Sequence, residues 1–459
     1  MSKRDAVPYD LLRKKLSSLL CRVHFVGIGG VSMYSLARLT MDRGVRVSGS
    51  DRVESQHTCD LALLGAEIHI GHSPENIGAA DIVVFSVAIS DDNIELKAAR
   101  ERKILTVSRA EYLGALMLDY SGRIGVSGSH GKSTTVAMLD AIFSHAGANP
   151  TVLSGSNLPY GEPFKLCSKS LLIYEACEYK DSFLRFLPTI SVGLNLELDH
   201  TDYFKDIEQM KNSFAKALGR AGRFALINGD DQNLRDISAS LKCRPITFGS
   251  GENNDYRYSI TSFFNSGFCF SIAKFGSEIG SFTLNIPGAF NISNATAAIV
   301  VALECGIDID CISEAISLYR GISGRLEYIG ARFGRPVYVD YAHHPTEISA
   351  SINALKMQIN RPLTVVFKPH TFSRTQAFWR EFCESLSLAD YTVITDIYPA
   401  REEPIEGISS LRLAKEIRGG AIYSTDEEII KNVDLYTEGA IVLMGAGDFG
   451  KIRKRILTT

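Results

Sequence analysis

Short apolar runs alternate with longer stretches of helical periodicity along most of the 459-residue chain. The runs are rich in β-branched residues, as in Leu363-Thr-Val-Val-Phe367 and Ala440-Ile-Val-Leu443. This alternation is typical of α/β layers with parallel sheets. The pattern breaks softly at Ser121-Gly122 and at Gly321-Ile-Ser-Gly324, which looks like a hinge. Because a domain holds about 150 residues, we predict three α/β domains: residues 1–120, 121–322 and 323–459.

A glycine-rich turn follows the apolar run Val23-His-Phe-Val26 near the start of the chain. The turn reads Gly27-Ile-Gly-Gly30, and the next apolar run ends at Gly49-Ser-Asp51. This spacing is close to the dinucleotide-binding fingerprint, although Ser32 stands where the fingerprint has its third glycine. It favours a bound diphosphate, either of a nicotinamide cofactor or of a nucleotide sugar. A tight turn without a ligand, and a role for Asp51 as a helix cap only, remain alternatives.

A second glycine-rich loop opens the central domain. The run Ile124-Gly-Val126 leads into Ser127-Gly-Ser-His-Gly-Lys-Ser-Thr134 and then into a helix-like stretch. In such a loop the backbone N–H groups point at phosphate oxygens, the lysine reaches the terminal phosphates, and a hydroxyl binds Mg²⁺. Val126 departs from the strict Walker A spacing, but the tail of the motif is intact. We predict ATP or GTP binding with Mg²⁺ at Gly128, Ser129, His130, Gly131, Lys132, Ser133 and Thr134.

Two further apolar runs of the central domain end in polar residues. Glu175 and Glu178 follow one run, and Asp199 and His200 follow the other. Because the carboxyl ends of parallel strands converge at one edge of a sheet, we predict Ser133, Glu175 and His200 as metal ligands. For Glu178 a solvated carboxylate is the favoured interpretation. For Asp199 a helix cap is an equal alternative.

Polar clusters also follow two apolar runs of the last domain. One contains an acid and two histidines, and the other is basic; the residues are Asp340, His343, His344, Lys368, His370 and Arg374. A histidine accepts protons near neutral pH, and an arginine binds a carboxylate through two hydrogen bonds. Helix capping is the alternative role for any one of these residues.

Composition narrows the function further. The chain has 49 Lys+Arg against 52 Asp+Glu, a net charge of −3, which argues against nucleic-acid binding. Its nine cysteines never form C-x-x-C, so we expect reduced thiols rather than disulfides or a zinc ribbon. The first residues lack the apolar region of a signal peptide, and no apolar stretch approaches the ~18 residues of a membrane span. We therefore expect a cytoplasmic protein without membrane insertion.

The motifs together resemble the Mur ligase family, and several are typical of its alanine-adding branch. The matching segments are His24-Phe-Val-Gly-Ile-Gly-Gly30, Phe85-Ser-Val-Ala-Ile-Ser90, Gly128-Ser-His-Gly-Lys-Ser-Thr134, Glu175-Ala-Cys-Glu178, Asp199-His-Thr-Asp-Tyr-Phe204, Asn291-Ile-Ser-Asn294, Asp340-Tyr-Ala-His-His-Pro-Thr-Glu347, Phe367-Lys-Pro-His370, Tyr398-Pro-Ala-Arg-Glu402 and Gly445-Ala-Gly-Asp448.

The resemblance implies a fold and a reaction. The expected architecture is a Rossmann-like domain for a UDP-sugar, a central P-loop ATPase domain, and a Rossmann-like C-terminal domain that closes over the site. The expected reaction joins L-alanine to the lactyl carboxylate of UDP-N-acetylmuramate through an acyl phosphate, driven by ATP with Mg²⁺, in peptidoglycan precursor synthesis. We expect a monomer or weak homodimer.

The resemblance also implies residue roles. Catalysis is expected at Lys132, Glu175, His200, Arg325 and His343. Asn291, Asn294, Arg325 and Asp340 are expected to complete the nucleotide site. The UDP-sugar is expected near Gly29, Gly30, Ser50, Asp51, His72 and Arg109, and the amino acid near His343 and Arg374.

Four departures from the family pattern bear on the substrate rather than on the ligase chemistry. They are Ser32 in the first turn, Phe290 before Asn291, the segment around Gly324, and Thr371 after His370. A related ligase with another amino acid or a peptide as nucleophile is therefore the main alternative. A nicotinamide-dependent oxidoreductase leaves Lys132, Glu175 and His200 unexplained. A non-catalytic nucleotide-binding relative is expected to lack those residues.

Overall fold

The computed structural model describes residues 9–18, 20–167, 169–242, 244–264, 267–400, 402–433, 439–446 and 449–457. Arg401, Gly447 and Asp448, which belong to two of the sequence motifs, lie outside the described residues. Contacts divide the chain into two compact units. Unit 1 comprises Met1–Leu196, Lys211–Thr247 and Glu304–Ile307, and unit 2 comprises Glu197–Met210, Phe248–Leu303 and Asp308–Thr459.

Unit 1 begins with a parallel sheet in the order β3-β2-β1-β4-β5. Its strands are β1 (Arg22–Val26), β2 (Arg46–Asp51), β3 (Glu67–Ile70), β4 (Ile82–Phe85) and β5 (Leu105–Ser108), and its helices are α1 (Tyr9–Leu16), α2 (Val31–Asp42), α3 (Gln56–Leu63), α4 (Ile94–Glu101) and α5 (Arg109–Leu116). In this doubly wound order the chain reverses direction across the sheet beside β1, and ligands bind at the carboxyl ends of the strands there. Gly49 lets the turn after β1 approach β2, because a Cβ there would lie 2.5 Å from Ile28 Cδ1 and 2.7 Å from the Phe25 carbonyl oxygen.

A second sheet of unit 1 carries the phosphate loop. Its strands are β6 (Gly122–Ser127), β7 (Thr151–Leu153), β8 (Phe164–Lys165), β9 (Leu171–Glu175), β10 (Ile190–Gly193) and β11 (Phe224–Asn228), and the helices of this part of the chain are α6 (Lys132–His145), α7 (Ile207–Leu218) and α8 (Gln232–Ser238). The order is β11-β10-β6-β9-β7-β8, parallel except for β8. Since β6 lies between β9 and β10, the loop after β6 emerges next to the ends of both neighbours.

Unit 2 contains an antiparallel meander that the sequence analysis did not predict. After β12 (Ile246–Gly249) come β13 (Tyr256–Phe264), β14 (Gly267–Lys274) and β15 (Ser277–Leu284), and then helices α9 (Phe290–Glu304) and α10 (Ile309–Leu318). Phe268, Phe270 and Ile272 of β14 are buried at alternate positions. That period of two is the signal of a half-buried strand.

The remaining part of unit 2 is a sheet with helices on both faces. Its strands are β16 (Glu327–Arg332), β17 (Arg335–Asp340), β18 (Leu363–Phe367), β19 (Tyr391–Ile394), β20 (Ile422–Tyr423) and β21 (Ala440–Met444), and its helices are α11 (Pro345–Gln358), α12 (Phe372–Ala377), α13 (Trp379–Leu386), α14 (Ser410–Glu416), α15 (Asp426–Asn432) and α16 (Gly450–Arg455). The order is β16-β17-β21-β18-β19-β20, with β16 antiparallel at the edge. One face packs Ile352 and Phe382 and the other packs Ile429 and Ile452, so the central strands are buried on both sides.

The structure confirms the predicted α/β class and the four apolar strands of the last domain. The short edge strands β16 and β20 were not predicted, because they lack a continuous apolar run. Among the described residues, no helix is both long and apolar enough to cross a bilayer. The boundaries near residues 121 and 323 stay predictions.

Candidate functional site

The phosphate loop of unit 1 depends on two glycines and on Asn195. Gly128 and Gly131 have φ of 149° and 83°, and a Cβ on Gly128 would lie 3.0 Å from Leu194 Cβ. Such conformations are open to glycine and strained for other residues. The Asn195 side chain accepts from the His130 backbone N–H at 2.8 Å and donates to its carbonyl at 3.1 Å. The loop is therefore held open at the N-terminus of α6, which suits a phosphate group.

Lys132 lies inside this loop and pairs with Glu178. Its Nζ is 2.5 Å from the Gly128 carbonyl oxygen, 3.2 Å from that of Ser129 and 3.1 Å from Glu178 Oε1. Glu178 is 0% exposed, so the predicted solvated carboxylate is wrong. Burial by itself lowers the pKa of Lys132, but the Glu178 charge outweighs burial and raises it. A cation with this buried partner remains charged at the position where phosphates bind.

Ser133 and Glu175, two of the predicted metal ligands, contact the same short segment. Glu175 Oε1 accepts from Ser154 Oγ at 2.9 Å and from the Gly155 N–H at 2.6 Å. Ser133 Oγ lies 3.3 Å from Ser156 Oγ. Residues 154–156 thereby hold a hydroxyl and a carboxylate near the phosphate loop, and both groups are oxygen ligands of the kind that Mg²⁺ prefers.

Arg109, predicted near the UDP-sugar, lies closer to the end of β9 than expected. It begins α5, which is capped by Ser108 and Glu111. Burial lowers the pKa of Arg109, and the charges of Cys177 and Glu175 oppose that shift. The guanidinium is therefore electrostatically coupled to the strand end that carries Glu175.

The first glycine turn is tied to Asp51. Asp51 Oδ2 accepts from the Gly29 N–H at 2.9 Å, and the His57 ring contacts the Gly29 carbonyl oxygen through Nδ1 at 2.8 Å. Helix α3 is capped by Ser55, so the alternative role of Asp51 as a helix cap is wrong. Gly30 precedes α2 as its N-cap residue. Ser32 is exposed in the first turn of α2.

Ser50 and His72 share a buried carboxylate, that of Glu95. Ser50 Oγ donates to Glu95 Oε2 at 2.5 Å, and His72 Nδ1 lies 3.3 Å from the same oxygen and 3.2 Å from Ser50 Oγ. Ser50 and Glu95 are 0% exposed. The structure thus brings together two residues that the sequence assigned separately to one substrate, through a third that it did not identify.

In unit 2, Arg374 joins Asp199 to His370. Its Nη2 donates to Asp199 Oδ1 at 2.6 Å and its Nη1 to His370 Nδ1 at 3.0 Å. Burial raises the pKa of Asp199, but the Arg374 charge outweighs burial and holds it well below its usual range. Burial and Arg374 lower the pKa of His370 to about 4. The predicted helix cap at Asp199 is wrong, because its carboxylate is a partner of this arginine.

His343 lies beside this cluster. Its ring is 5.9 Å from the His370 ring, centroid to centroid, and its Nδ1 is 3.0 Å from the Tyr341 carbonyl oxygen. Burial lowers the pKa of His343 to about 3. The ring is therefore neutral at pH 7, with the Nδ1 proton on a carbonyl and a lone pair on Nε2. His344, in contrast, caps α11, as the capping alternative predicted.

Arg325 and Asp340 are also close together in unit 2. Arg325 lies over the Tyr341 ring at 4.9 Å and 3.8 Å from Glu347 Oε1. Asp340 is buried and accepts from Ser351 Oγ at 2.5 Å. Burial raises the pKa of Asp340 to about 6, against the charge of Arg325.

The amides predicted for the nucleotide begin α9. Asn294 Nδ2 donates to Asn291 Oδ1 at 3.0 Å, and Asn291 Nδ2 donates to the Pro287 carbonyl oxygen at 2.6 Å. Both asparagines are buried, whereas Phe290 is 41% exposed. The two amides order each other, and the exposed ring of Phe290 next to them suits stacking.

His200 belongs to unit 2, whereas Ser133 and Glu175 belong to unit 1. It has a positive φ of 52° and donates its backbone N–H to Asp199 Oδ1 at 2.6 Å. A non-glycine residue in this region is strained, and such strain is concentrated at functional sites. The metal set of three residues stays a prediction.

Sequence reasoning missed Glu178, Asn195 and Glu95. A lysine in a buried loop needs a counter-charge, and this requirement pointed to Glu178. Asn195 ends the strand next to the loop, where strand ends form sites. For Glu95, the only signal was an acidic residue in the first turn of an apolar-faced helix, which is equally typical of capping.

Comparison with known proteins agrees with this geometry. Three family models match the chain: "Mur ligase family, catalytic domain" over residues 22–121, "Mur ligase middle domain" over 126–302, and "Mur ligase, glutamate ligase domain" over 324–447. The UDP-N-acetylmuramate–L-alanine ligase of Clostridium novyi (strain NT) is 40% identical over 446 residues, which cover 95% of this chain and 97% of that protein.

Solved structures show the same fold. The UDP-N-acetylmuramate-alanine ligase MurC of Thermotoga maritima has a TM-score of 0.82 at 25% identity, covering 95% of this chain and 98% of that one. The MurF ligase of Thermotoga maritima, solved in complex with ADP, has a TM-score of 0.60 at 18% identity over 90% and 93% of the two chains. The architecture expected from the sequence is confirmed, and the chain belongs to the Mur ligase family.

Proposed function

We propose that the protein is an ATP-dependent ligase that joins L-alanine to the lactyl carboxylate of UDP-N-acetylmuramate in peptidoglycan precursor synthesis. The observation that carries the proposal is the phosphate loop, in which Lys132 and Glu178 form a buried pair beside Glu175. The name of the Clostridium novyi relative supports the substrates, because the identity extends over nearly the whole of both chains.

The phosphate loop suits ATP. Its two positive-φ glycines expose backbone N–H groups at the start of α6, and Lys132 adds a positive charge among them. Ser133 and Glu175 offer a hydroxyl and a carboxylate, which are suitable donors for Mg²⁺. When bound, Mg²⁺ neutralises charge on the phosphate oxygens. Lys132 would stabilise the charge that develops on the transferred phosphoryl group.

The chemistry proceeds in two displacements. An oxygen of the lactyl carboxylate attacks the γ-phosphorus of ATP, so that an acyl phosphate forms and ADP leaves. The amine of L-alanine then attacks the carbonyl carbon, inorganic phosphate leaves, and the amine loses a proton as the amide forms. A carboxylate is a poor acylating agent, which is why its oxygen is first converted into a leaving group.

Two side chains of unit 2 are candidates for the amino acid. Arg374 uses one N–H group for Asp199 and one for His370, and a guanidinium has further donors for a substrate carboxylate. His343 is neutral at pH 7 with a lone pair on Nε2, so it can accept a hydrogen bond from the incoming amine. Its low pKa makes it an orienting acceptor rather than a store of protons.

Phosphate release tests the proposal directly. The protein is incubated with ATP, Mg²⁺, UDP-N-acetylmuramate and each of L-alanine, glycine, L-serine or a short peptide. We expect release that requires both the sugar nucleotide and L-alanine, and the amide product by mass spectrometry. Release with another nucleophile but not with L-alanine would indicate the related ligase. Release independent of either substrate would refute the ligase function.

The remaining properties stay predictions. We propose a cytoplasmic location and a monomer or weak dimer, which cell fractionation and light scattering would test. A dimer that persists at nanomolar concentration would contradict the weak association.

A further inference from the structure

Glu95 lies in α4, one turn into the helix, and its side chain is surrounded by hydrogen-bond donors. Asn76 Nδ2 donates to Oε1 at 2.6 Å and the Ser73 N–H at 3.3 Å. Ser50 Oγ donates to Oε2 at 2.5 Å, and His72 Nδ1 is 3.3 Å from the same atom. A buried carboxylate is costly to keep without such partners.

The carboxylate of Glu95 is ionised across the physiological range. Burial by itself raises the pKa of Glu95, but interactions led by His24 and Ser50 outweigh burial and lower it to about 2. His24 is 0% exposed, and its Nε2 lies 3.6 Å from Glu95 Oε2. The other ring nitrogen of His24, Nδ1, contacts Ser48 Oγ at 2.9 Å.

An ionised carboxylate only accepts hydrogen bonds, and this fixes the protons around it. Ser50 must donate its hydroxyl proton to Glu95, so that Ser50 Oγ is left as an acceptor. His72 Nδ1 then faces two acceptors, at 3.2 and 3.3 Å, and carries a proton. The His72 side chain is 16% exposed, and its second nitrogen, Nε2, is not engaged by Glu95.

The location of this network agrees with a role in ligand binding. Ser50 lies near the carboxyl end of β2, and its carbonyl oxygen accepts from the N–H groups of Gly27 and Ile28 at 2.8 and 3.0 Å. The same residue therefore contacts the glycine turn through its backbone and Glu95 through its side chain. A shift of Glu95 would be transmitted to both.

We propose that Glu95 is a positioning residue for the nucleotide sugar, which fixes Ser50 and the protonation pattern of His72 for binding of the UDP moiety. The inference rests on the proposed function, since it concerns the sugar-nucleotide site of that reaction. Glu95 acts through its two neighbours and contacts no reacting atom.

The test combines binding and kinetics. Glu95→Gln removes the charge at nearly constant shape, and Glu95→Asp keeps the charge but withdraws it by one methylene group. Calorimetry without ATP measures the dissociation constants of UDP-N-acetylmuramate and UDP, and a separate titration measures MgADP. We expect Glu95→Gln to weaken both uridine ligands at least tenfold and Glu95→Asp about threefold. We expect kcat at saturation and the MgADP affinity to stay within about twofold.

A double-mutant cycle separates positioning from general stability. If Glu95 acts through His72, the variant Glu95→Gln/His72→Asn binds UDP no more weakly than the weaker single variant. Tyr112→Phe is the matched control, because it removes a buried hydrogen bond to Thr40 in the same sheet. It is expected to lower the melting temperature and leave UDP binding unchanged.

Three outcomes would overturn the inference. They are an unchanged UDP affinity in Glu95→Gln, multiplicative effects in the cycle, and a weakened UDP affinity in Tyr112→Phe that matches its loss of stability. Failure of the unaltered protein to bind UDP-N-acetylmuramate would overturn the proposed function and this inference with it. Intact binding that ignores Glu95 would overturn the inference alone.

Discussion

The pair of Lys132 and Glu178 gives the sharpest prediction about stability. Its Nζ–Oε1 distance is 3.1 Å, Glu178 is 0% exposed, and the Lys132 side chain is 16% exposed. The perturbation is a cycle of Lys132→Ala, Glu178→Gln and the double variant, studied without nucleotide. We expect the costs to be strongly non-additive, because each single variant leaves the other buried polar group without its charged partner.

The magnitude follows from the geometry. At 3.1 Å and an effective dielectric constant of about 20, two unit charges attract by roughly 5 kcal/mol. Desolvation offsets much of this attraction, and Lys132 Nζ keeps two carbonyl partners when Glu178 is neutralised. We therefore expect Glu178→Gln to cost about 2 kcal/mol and Lys132→Ala about 3 kcal/mol. The double variant should cost about 3 kcal/mol, which is a coupling of about 2 kcal/mol.

Urea unfolding followed by circular dichroism measures these free energies. The exposed pair of Lys211 and Asp236 is the control, because its atoms are 2.8 Å apart while Asp236 is 40% exposed. We expect a much smaller coupling there, since solvent screens an exposed pair. If the Lys132 and Glu178 costs add to within ~0.5 kcal/mol, the two side chains do not stabilise each other and the reasoning is refuted.

Three further predictions concern activity and pH. Lys132→Ala should abolish phosphate release and leave UDP-N-acetylmuramate binding by calorimetry nearly unchanged; loss of both would argue against separate sites. Gly155→Ala should lower kcat about tenfold or more, because its Cβ would lie 2.9 Å from Glu175 Oε2, and an unchanged kcat would contradict this. The raised pKa of Asp340, about 6, favours the protonated folded state, so its contribution to stability is lost as the pH rises from about 4 to 6. The melting temperature of Asp340→Asn relative to the unaltered protein should therefore rise over that range in calorimetric scans, and a constant difference would refute the assignment.

Much of the fold could be predicted because parallel strands are recorded in local sequence. Strands buried on both faces need continuous apolar runs, and β18 and β21 are examples. The meander β13–β15 was missed because its strands are apolar on one face only, and at β13 the buried position is confined to Tyr256. Edge strands such as β20, two residues long, leave almost no pattern.

The sequence by itself determined the phosphate loop, because its chemistry resides in consecutive residues. Gly131 and Lys132 must be neighbours for one loop to expose N–H groups and present a cation. The same holds for the glycine turn before α2. Only the tertiary structure decided which carboxylates are buried partners. Glu178 reaches Lys132 across 46 positions and Asp199 reaches Arg374 across 175. An acidic residue looks the same in sequence whether solvent or a cation neutralises it, and the packing of distant strand ends selects between the two.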